Sequence, residues 1–262
     1  MLRIAWLTTG RGPGSYGALE YAFRAIDAGL PVSIAVVFLN RERGESEATD
    51  RLIALAEARG VAVETLSSVR FRRARGGRLS RPGEPLPAWR REFDEEVATI
   101  LGGYSFDLAI MFGYMLIATD ALHERFTILN DHPALPGGPV GTWQQVIRQL
   151  MDTGARESGC MWNVVTGDLD RGPVLTYARY ATAGPDMDPL WAEYRALGAN
   201  PDNETIEATR LFAEIRRRGV LAERPLMVET LRSLAEGRIE ATPDGTPADL
   251  TLDVNRALSE TA

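Results

Sequence analysis

Short, almost unbroken apolar runs recur through the first half of this chain, and helical patterns separate most of them. The runs are Arg3–Thr8, Pro31–Phe38, Val61–Leu66, Phe106–Phe112 and Thr127–Asn130. They are too short for core helices, and they lack the polar alternation of a strand with one wet face. Between them, Ala18–Ala28 places Leu19, Ala22, Phe23 and Ile26 at helical spacing, and Ser46–Arg59 follows the second run. Trp89–Leu101 gathers Phe93, Val97, Ile100 and Leu101 on one face, and Gly141–Thr153 does the same with Trp143, Val146, Ile147 and Leu150. Strands buried on both sides and alternating with helices describe an α/β chain, a mostly parallel sheet with helices on both faces.

The second half is less regular. Cys160–Val165 and Pro173–Ala181 read as strands joined by the tight loop Gly167–Gly172. We expect residues 1–183 to form one catalytic domain and 184–203, rich in Gly, Pro and Asp, to be an irregular insertion or a short helix. Amphipathic helices are expected at Glu204–Arg218 and Pro225–Glu236, so that residues 204–240 close onto the same domain. Residues 241–262, with Pro243, Gly245 and Pro247, read as a loosely packed polar tail.

Composition removes several kinds of chemistry. All the basic residues are arginines, which excludes a P-loop lysine, a Schiff-base lysine and a Ser-Lys dyad. One cysteine, Cys160, allows no internal disulfide and no cysteine-rich zinc site, and two separated histidines make no metal site, so no metal is expected. A net charge of −7 argues against nucleic-acid binding. No apolar run approaches the ~18–20 residues of a membrane span. The N-terminus turns polar too soon for a signal sequence, so the expected location is the cytoplasm.

Asn130-Asp131-His132-Pro133 closes the fifth strand, and Asp170 stands in the loop Gly167–Gly172. Residues at the carboxyl ends of strands in an open α/β sheet share one crevice. An amide supplies a donor for a developing oxyanion, an imidazole manages protons near neutral pH, and a carboxylate orients the imidazole or collects a proton. These are the groups needed to move an acyl group onto an amine. His123, in the polar helical stretch Ala121–Arg125, reads as solvated.

Asn130, His132 and Pro133, followed by Asp170, Gly172, Pro173 and Val174, resemble the Asn-x-His-Pro and Asp-x-Gly-Pro-Val motifs of the folate-dependent formyltransferase family, in particular its phosphoribosylglycinamide branch. The resemblance implies a Rossmann-like formyltransferase fold with Asn130, His132 and Asp170 as catalytic residues. It implies 10-formyltetrahydrofolate as formyl donor, held by Tyr114, Met115, Leu116 and Ile117 after the fourth strand and by Val165, Thr166, Gly167 and Asp168 opposite. Asp168 is adjacent to the motif, but the spacing to Gly172 favours Asp170 as the acid. The acceptor implied is a primary amine on a small phosphorylated molecule, as in purine biosynthesis, with no partner beyond amine and folate and a monomer or homodimer as the assembly.

The glycine-rich turn Gly10–Gly17 corresponds to the family's phosphate loop, with Gly12, Gly14, Ser15 and Tyr16 as substrate contacts. Glycines let amide groups converge at a helix N-terminus, where the dipole favours an anion. The same glycines also make a plain strand-to-helix turn. Tyr16 stands where the family has Asn, Leu116 where its loop has Arg, Asn163 where a His is frequent, and Val220 near a Glu that helps hold glycinamide ribotide. These departures keep other readings open: a nucleotide-linked amino sugar as acceptor, hydrolysis of the formyl donor, or a non-catalytic folate-binding module.

Arg70, Arg72, Arg73, Arg75, Arg78, Arg81, Arg90 and Arg91 crowd a stretch with one acid, Glu84. It reads as a mobile loop, either an electropositive lid for an anionic ligand or a solvated surface. Trp6, Trp89, Trp143, Trp162 and Trp191 read as packed aromatics, with Trp162 nearest to the pocket.

Overall fold

All five apolar runs become neighbours in one sheet. In the computed structural model, which describes residues 1–81, 84–198, 201–242 and 245–260, they are β1 (Leu2–Thr8), β2 (Val32–Leu39), β3 (Ala62–Thr65), β4 (Leu108–Met111) and β5 (Ile128–His132). The connecting helices are α1 (Pro13–Asp27), α2 (Glu47–Ala58), α3 (Ser68–Ala74), α4 (Trp89–Leu101) and the short α5 (Asp120–His123). Beyond β5 come α6 (Trp143–Thr153), β6 (Glu157–Val164), β7 (Val174–Ala181), α7 (Asp188–Arg195), α8 (Asn203–Glu207), α9 (Arg210–Ala235), β8 (Ala248–Asp249) and α10 (Thr251–Glu260).

The strand order is β3-β2-β1-β4-β5-β6-β7-β8. Every pairing is parallel except those of β6, which runs antiparallel to both β5 and β7. The fold is thus a Rossmann-like α/β sheet, mostly parallel and covered on both faces. Strand β1 shows why its sequence is unbroken: Ile4 and Trp6 pack under α1, α2 and α9, while Ala5 and Leu7 pack under α3, α4 and α5. Chain order reverses between β1 and β4, which opens a crevice at their carboxyl ends.

Several expectations change. Helix α1 starts at Pro13, not Ala18, because proline at the first helical position needs no N–H partner. Gly14, Ser15 and Tyr16 are therefore first-turn helix residues. The arginine-rich stretch is largely structured: Arg70, Arg72 and Arg73 lie on α3, and Arg90 and Arg91 on α4. Its charge is mostly paired, Arg70 with Glu42, Arg75 with Glu92, Arg78 and Arg81 with Glu84, and Arg91 with Glu95 and Asp120. Glu84 within the run and acids beyond it neutralise most of this charge, so a free electropositive lid is not what the chain builds. Pro82 lies outside the described residues.

Stretch 184–203 carries helix α7, whose Leu190 and Trp191, with Met187 before it, are buried against α6 and α9. Ala199 and Asn200 are outside the described residues. Helix α9 runs without a break through Pro225, where two helices were expected. A mid-helix proline costs about 3 kcal/mol, but each buried apolar side chain contributes about 1.5–3 kcal/mol. Ala222, Leu226, Met227, Val228 and Leu231, all buried around Pro225, outweigh it. The expected loose tail instead adds β8 beside β7 and buries Leu250 and Val254; Pro243, Asp244, Thr261 and Ala262 are outside the described residues.

Strand alternation puts Asp131 on the opposite face of β5 from Asn130 and His132. There its Oδ1 is buried without a hydrogen-bond partner. Burial, and then the charge of Glu223, push the Asp131 carboxyl well above the usual carboxylate range, against a smaller pull from Arg216. Arg216 donates to Glu223 Oε1 at 2.9 Å and lies over the Trp143 ring at 4.6 Å. An acid whose pKa is raised on folding holds its proton longer in the folded state, so its contribution to stability falls as pH climbs out of the ordinary carboxylate range. Asp131→Asn keeps the shape and removes the ionisation. Its melting temperature should exceed that of the native chain by a few degrees at about pH 8, and the gap should close toward about pH 4. Thermal unfolding followed by circular dichroism across that range checks this; a gap independent of pH contradicts it.

Candidate active site

Asn130 and His132 are two residues apart on β5, so they project from one face at the strand's carboxyl end. His132 is 2% exposed. Its Nε2 lies 2.8 Å from the Pro139 carbonyl. A carbonyl only accepts, so the Nε2 position carries a proton and Nδ1 is left to face Asp170 Oδ2 at 3.7 Å. Asn130 Nδ2 donates to Asp170 Oδ1 at 3.5 Å. The Gly141 N–H donates to Asp170 Oδ2 at 3.2 Å. The structure therefore brings together all three residues singled out as catalytic, with Asp170 at the centre. The two longer contacts leave room for tightening around a ligand.

Asp170 reaches this position through its backbone. It is the one non-glycine residue with positive φ among the described residues, at 54°, a conformation that costs about 1–3 kcal/mol. Two residues on, a Cβ at Gly172 would collide with the Val164 carbonyl, so only glycine lets the loop fold back against β6. Val164 N–H closes the loop on the Pro173 carbonyl at 2.8 Å. Asp168 is exposed, and its carbonyl accepts from Arg171 N–H at 3.1 Å as part of the turn. Gly141 is held in place by the helix start beside it, where Thr142 and Gln145 form the reciprocal capping box that opens α6.

Two loops flank this centre. After β4, Gly113 has φ 66°, and a Cβ there would stand 2.7 Å from Ser15 Oγ, so the loop leaves the strand hard against the first turn of α1. Met115 N–H donates to Thr9 Oγ1 at 2.8 Å. Tyr114 is buried and Leu116 and Val165 are half-buried in one apolar cluster, which joins the two loops beneath the surface. Above it, Met115 is 60% exposed, Ile117 41% and Leu169 49%. Thr166 Oγ1 accepts from Asp168 N–H at 3.3 Å, and Gly167 is exposed.

At the start of α1, Gly12 caps the helix without a side-chain bond, and the spaces over Gly12 and Gly14 are open. First-turn amides there keep the unpaired donors of any helix start. Tyr16 turns inward and packs on the core. The Arg224 guanidinium of α9 presses on Gly17, which adds a cation to the same end of the helix.

Trp162 does not face this centre. It lies in the core on the Asp131 side of the sheet, 6.2 Å from the Phe112 ring. His123 is half-buried on α5. Pro139, Gly141 and Thr9 were missed in the sequence. The run Pro136-Gly137-Gly138-Pro139-Val140-Gly141 after His132 and the pattern Thr142-x-x-Gln145 were the available signals for the first two. No group of three or more His, Cys, Asp or Glu placed to hold a metal occurs among the described residues. No helix among them is long and apolar enough to cross a membrane.

Known proteins resemble this chain in both sequence and fold. The phosphoribosylglycinamide formyltransferase of Escherichia coli (strain K12) is 31% identical over 106 residues, which cover 39% of this chain and 49% of that protein. The chloroplastic phosphoribosylglycinamide formyltransferase of Arabidopsis thaliana is 27% identical over 157 residues, 58% of this chain and 46% of that protein. The chain thus spans about half the length of these curated relatives. Among solved structures, glycinamide ribonucleotide transformylase 1 from Symbiobacterium toebii superposes with a TM-score of 0.61 at 24% identity, covering 91% of this chain and 89% of that one. Phosphoribosylglycinamide formyltransferase from Coxiella burnetii, in complex with CHES, gives 0.62 at 20% identity over 92% and 91%. Likeness at that level of identity establishes the shared fold. The sequence profile described as "Formyl transferase" matches residues 25–186, more than half of the 262, and the chain belongs to the formyl transferase family.

Proposed function

We propose that this chain transfers a formyl group from 10-formyltetrahydrofolate to a primary amine on a small phosphorylated acceptor. The observation that carries the reading is the convergence of Asn130, His132 and Gly141 around Asp170 at the end of β5. When bound, the folate supplies a formyl carbon attached to nitrogen. The acceptor amine bonds to that carbon, the bond to the donor nitrogen breaks, and one proton passes from the amine to the departing nitrogen. The Asn130 amide and, in the imidazolium form, the Nδ1–H of His132 donate to the oxyanion of the tetrahedral intermediate, while Nε2–H stays on the Pro139 carbonyl. Asp170 takes the amine proton through water and holds His132 in orientation.

The two flanking loops suit the donor. Met115, Ile117 and Leu169 give an exposed apolar rim for a flat ring, over the cluster formed by Tyr114, Leu116 and Val165. With Thr166, Gly167 and Asp168 on the second loop, these residues are the proposed donor contacts. The open space over Gly12 and Gly14 at the start of α1, next to Ser15 and with Arg224 at the same end of the helix, supports an anion on the acceptor. A phosphoribosylglycinamide-like acceptor would place the chain in purine biosynthesis. One observation favours a second acceptor, an amino sugar linked to a nucleotide: Val220 is apolar and half-buried on α9, near the position of the Glu that holds glycinamide ribotide in the family.

Formyl transfer from 10-formyltetrahydrofolate, assayed against glycinamide ribotide and a panel of amino sugars, tests the reading and separates the acceptors. Release of formate without any acceptor would make the chain a hydrolase, and binding without turnover a folate-binding module. His132→Ala, Asn130→Ala and Asp170→Ala should each lower kcat by about 10²–10³-fold; near-normal turnover of the His132 variant removes the mechanism. Gly14→Asp adds a carboxylate that suits a helix start but repels an anion. It should raise KM for a phosphorylated acceptor about tenfold, with KM for the donor unchanged and the melting temperature retained. An unchanged acceptor KM would place the acceptor's anion elsewhere.

A further inference from the structure

Arg90 and Asp94 stand one turn apart on α4 and are 2% and 0% exposed. A buried ion pair is a poor source of stability, because desolvation cancels most of the attraction. This pair is weak by its own geometry, with Arg90 Nη2 3.5 Å from Asp94 Oδ1. It also leaves buried polar atoms without a hydrogen bond: Arg90 Nε, Asp94 Oδ1, and the nearby Tyr114 and Thr119 hydroxyls. Unsatisfied groups of this kind cost about 1–3 kcal/mol each. An apolar pair of similar size would serve the core better.

What the pair does hold is backbone. Arg90 Nη2 donates to the Ile117 carbonyl at 2.8 Å. Thr119 N–H donates to Asp94 Oδ2 at 2.7 Å. The opposite end of the same loop is fixed to the residue after β1, through Thr9 N–H to the Gly113 carbonyl at 3.0 Å and Met115 N–H to Thr9 Oγ1 at 2.8 Å. None of these four bonds uses the backbone of Leu116 or Ala118. Between the two anchors the chain bends at Leu116, with Ala118 drawn into the core and Ile117 turned outward.

We propose that Arg90 and Asp94 are positioning residues for the loop Gly113–Thr119, which set the height of this wall of the site and so the affinity for the formyl donor. The proposal rests on the reading in which that loop borders the donor. Arg90 and Asp94 act through the loop backbone and have no part in the chemistry. The fold gives up stability for a loop held at both ends.

The test compares the native chain with the apolar double variant Arg90→Met/Asp94→Leu and with Asp94→Asn, which keeps an oxygen for Thr119. Hydrogen exchange of loop peptides is measured with donor kinetics and melting temperature. In the double variant, exchange at residues 115–119 should rise and the donor KM should increase about tenfold, while kcat at saturating donor changes less than about threefold and the melting temperature does not fall. Asp94→Asn should lie between the two. If the double variant does not fold, Asp94→Asn alone decides, with the same direction in exchange and KM. Unchanged loop exchange overturns the proposal, as does a loss of kcat that follows melting temperature with donor KM constant. A native chain that transfers no formyl group defeats the donor reading instead, and the exchange result still decides whether the clamp exists.

Discussion

Burial of the parallel strands on both faces is the constraint on which the rest of the molecule depends. Ile4, Ala5, Trp6 and Leu7 close the middle of β1 to polar side chains on both faces, and Leu108–Met111 does the same for β4. Polar side chains therefore gather where the strands end, at the crevice between the β1 and β4 branches of the sheet. Strand β5 extends Asn130, Asp131 and His132 to this edge. Antiparallel β6 then returns the chain, so that the turn into β7 brings Asp170 back to the residues on β5.

Strain and desolvation are concentrated near this edge. The left-handed backbone of Asp170, the unpartnered Asp131 oxygen, and the Arg90–Asp94 pair each raise the energy of the fold. Apolar packing elsewhere in the same elements offsets them, as it does for Pro225 within α9. Helix α9 crosses behind β6 and β7 and also contacts α1 and α6. It brings Glu223 and Arg216 toward Asp131, and Arg224 toward the first turn of α1.

Much of this was legible in the sequence because local pattern and tertiary role coincide. Trp89–Leu101 matches α4 residue for residue, and the seven strands anticipated lie within a few residues of β1 to β7. Asn130, His132 and Asp170 were visible because chemistry restricts their types and the motifs fix their spacing. What was not legible depended on partners distant in sequence. The arginines looked free because Glu42, Glu45, Glu92, Glu95 and Asp120 lie outside or at the edge of their run. Pro225 looked like a helix end because its own cost is local and the compensating burial is not. Helix α10 was hidden in a polar tail because it packs on α9 and β7 through only a few buried side chains such as Val254. Gly141 was marked only indirectly, by the glycine- and proline-rich run and the capping pattern after it, since it contributes an amide that every residue but proline carries.

The central claim is that the group at the end of β5 moves a formyl unit onto an amine. A single-turnover experiment with 10-formyltetrahydrofolate carrying a ¹³C-formyl label tracks that unit directly. The account predicts label on the acceptor nitrogen with the native chain and label retained on the donor with Asp170→Asn. Label appearing as free formate, or transfer at the native rate in the Asp170 variant, would contradict it.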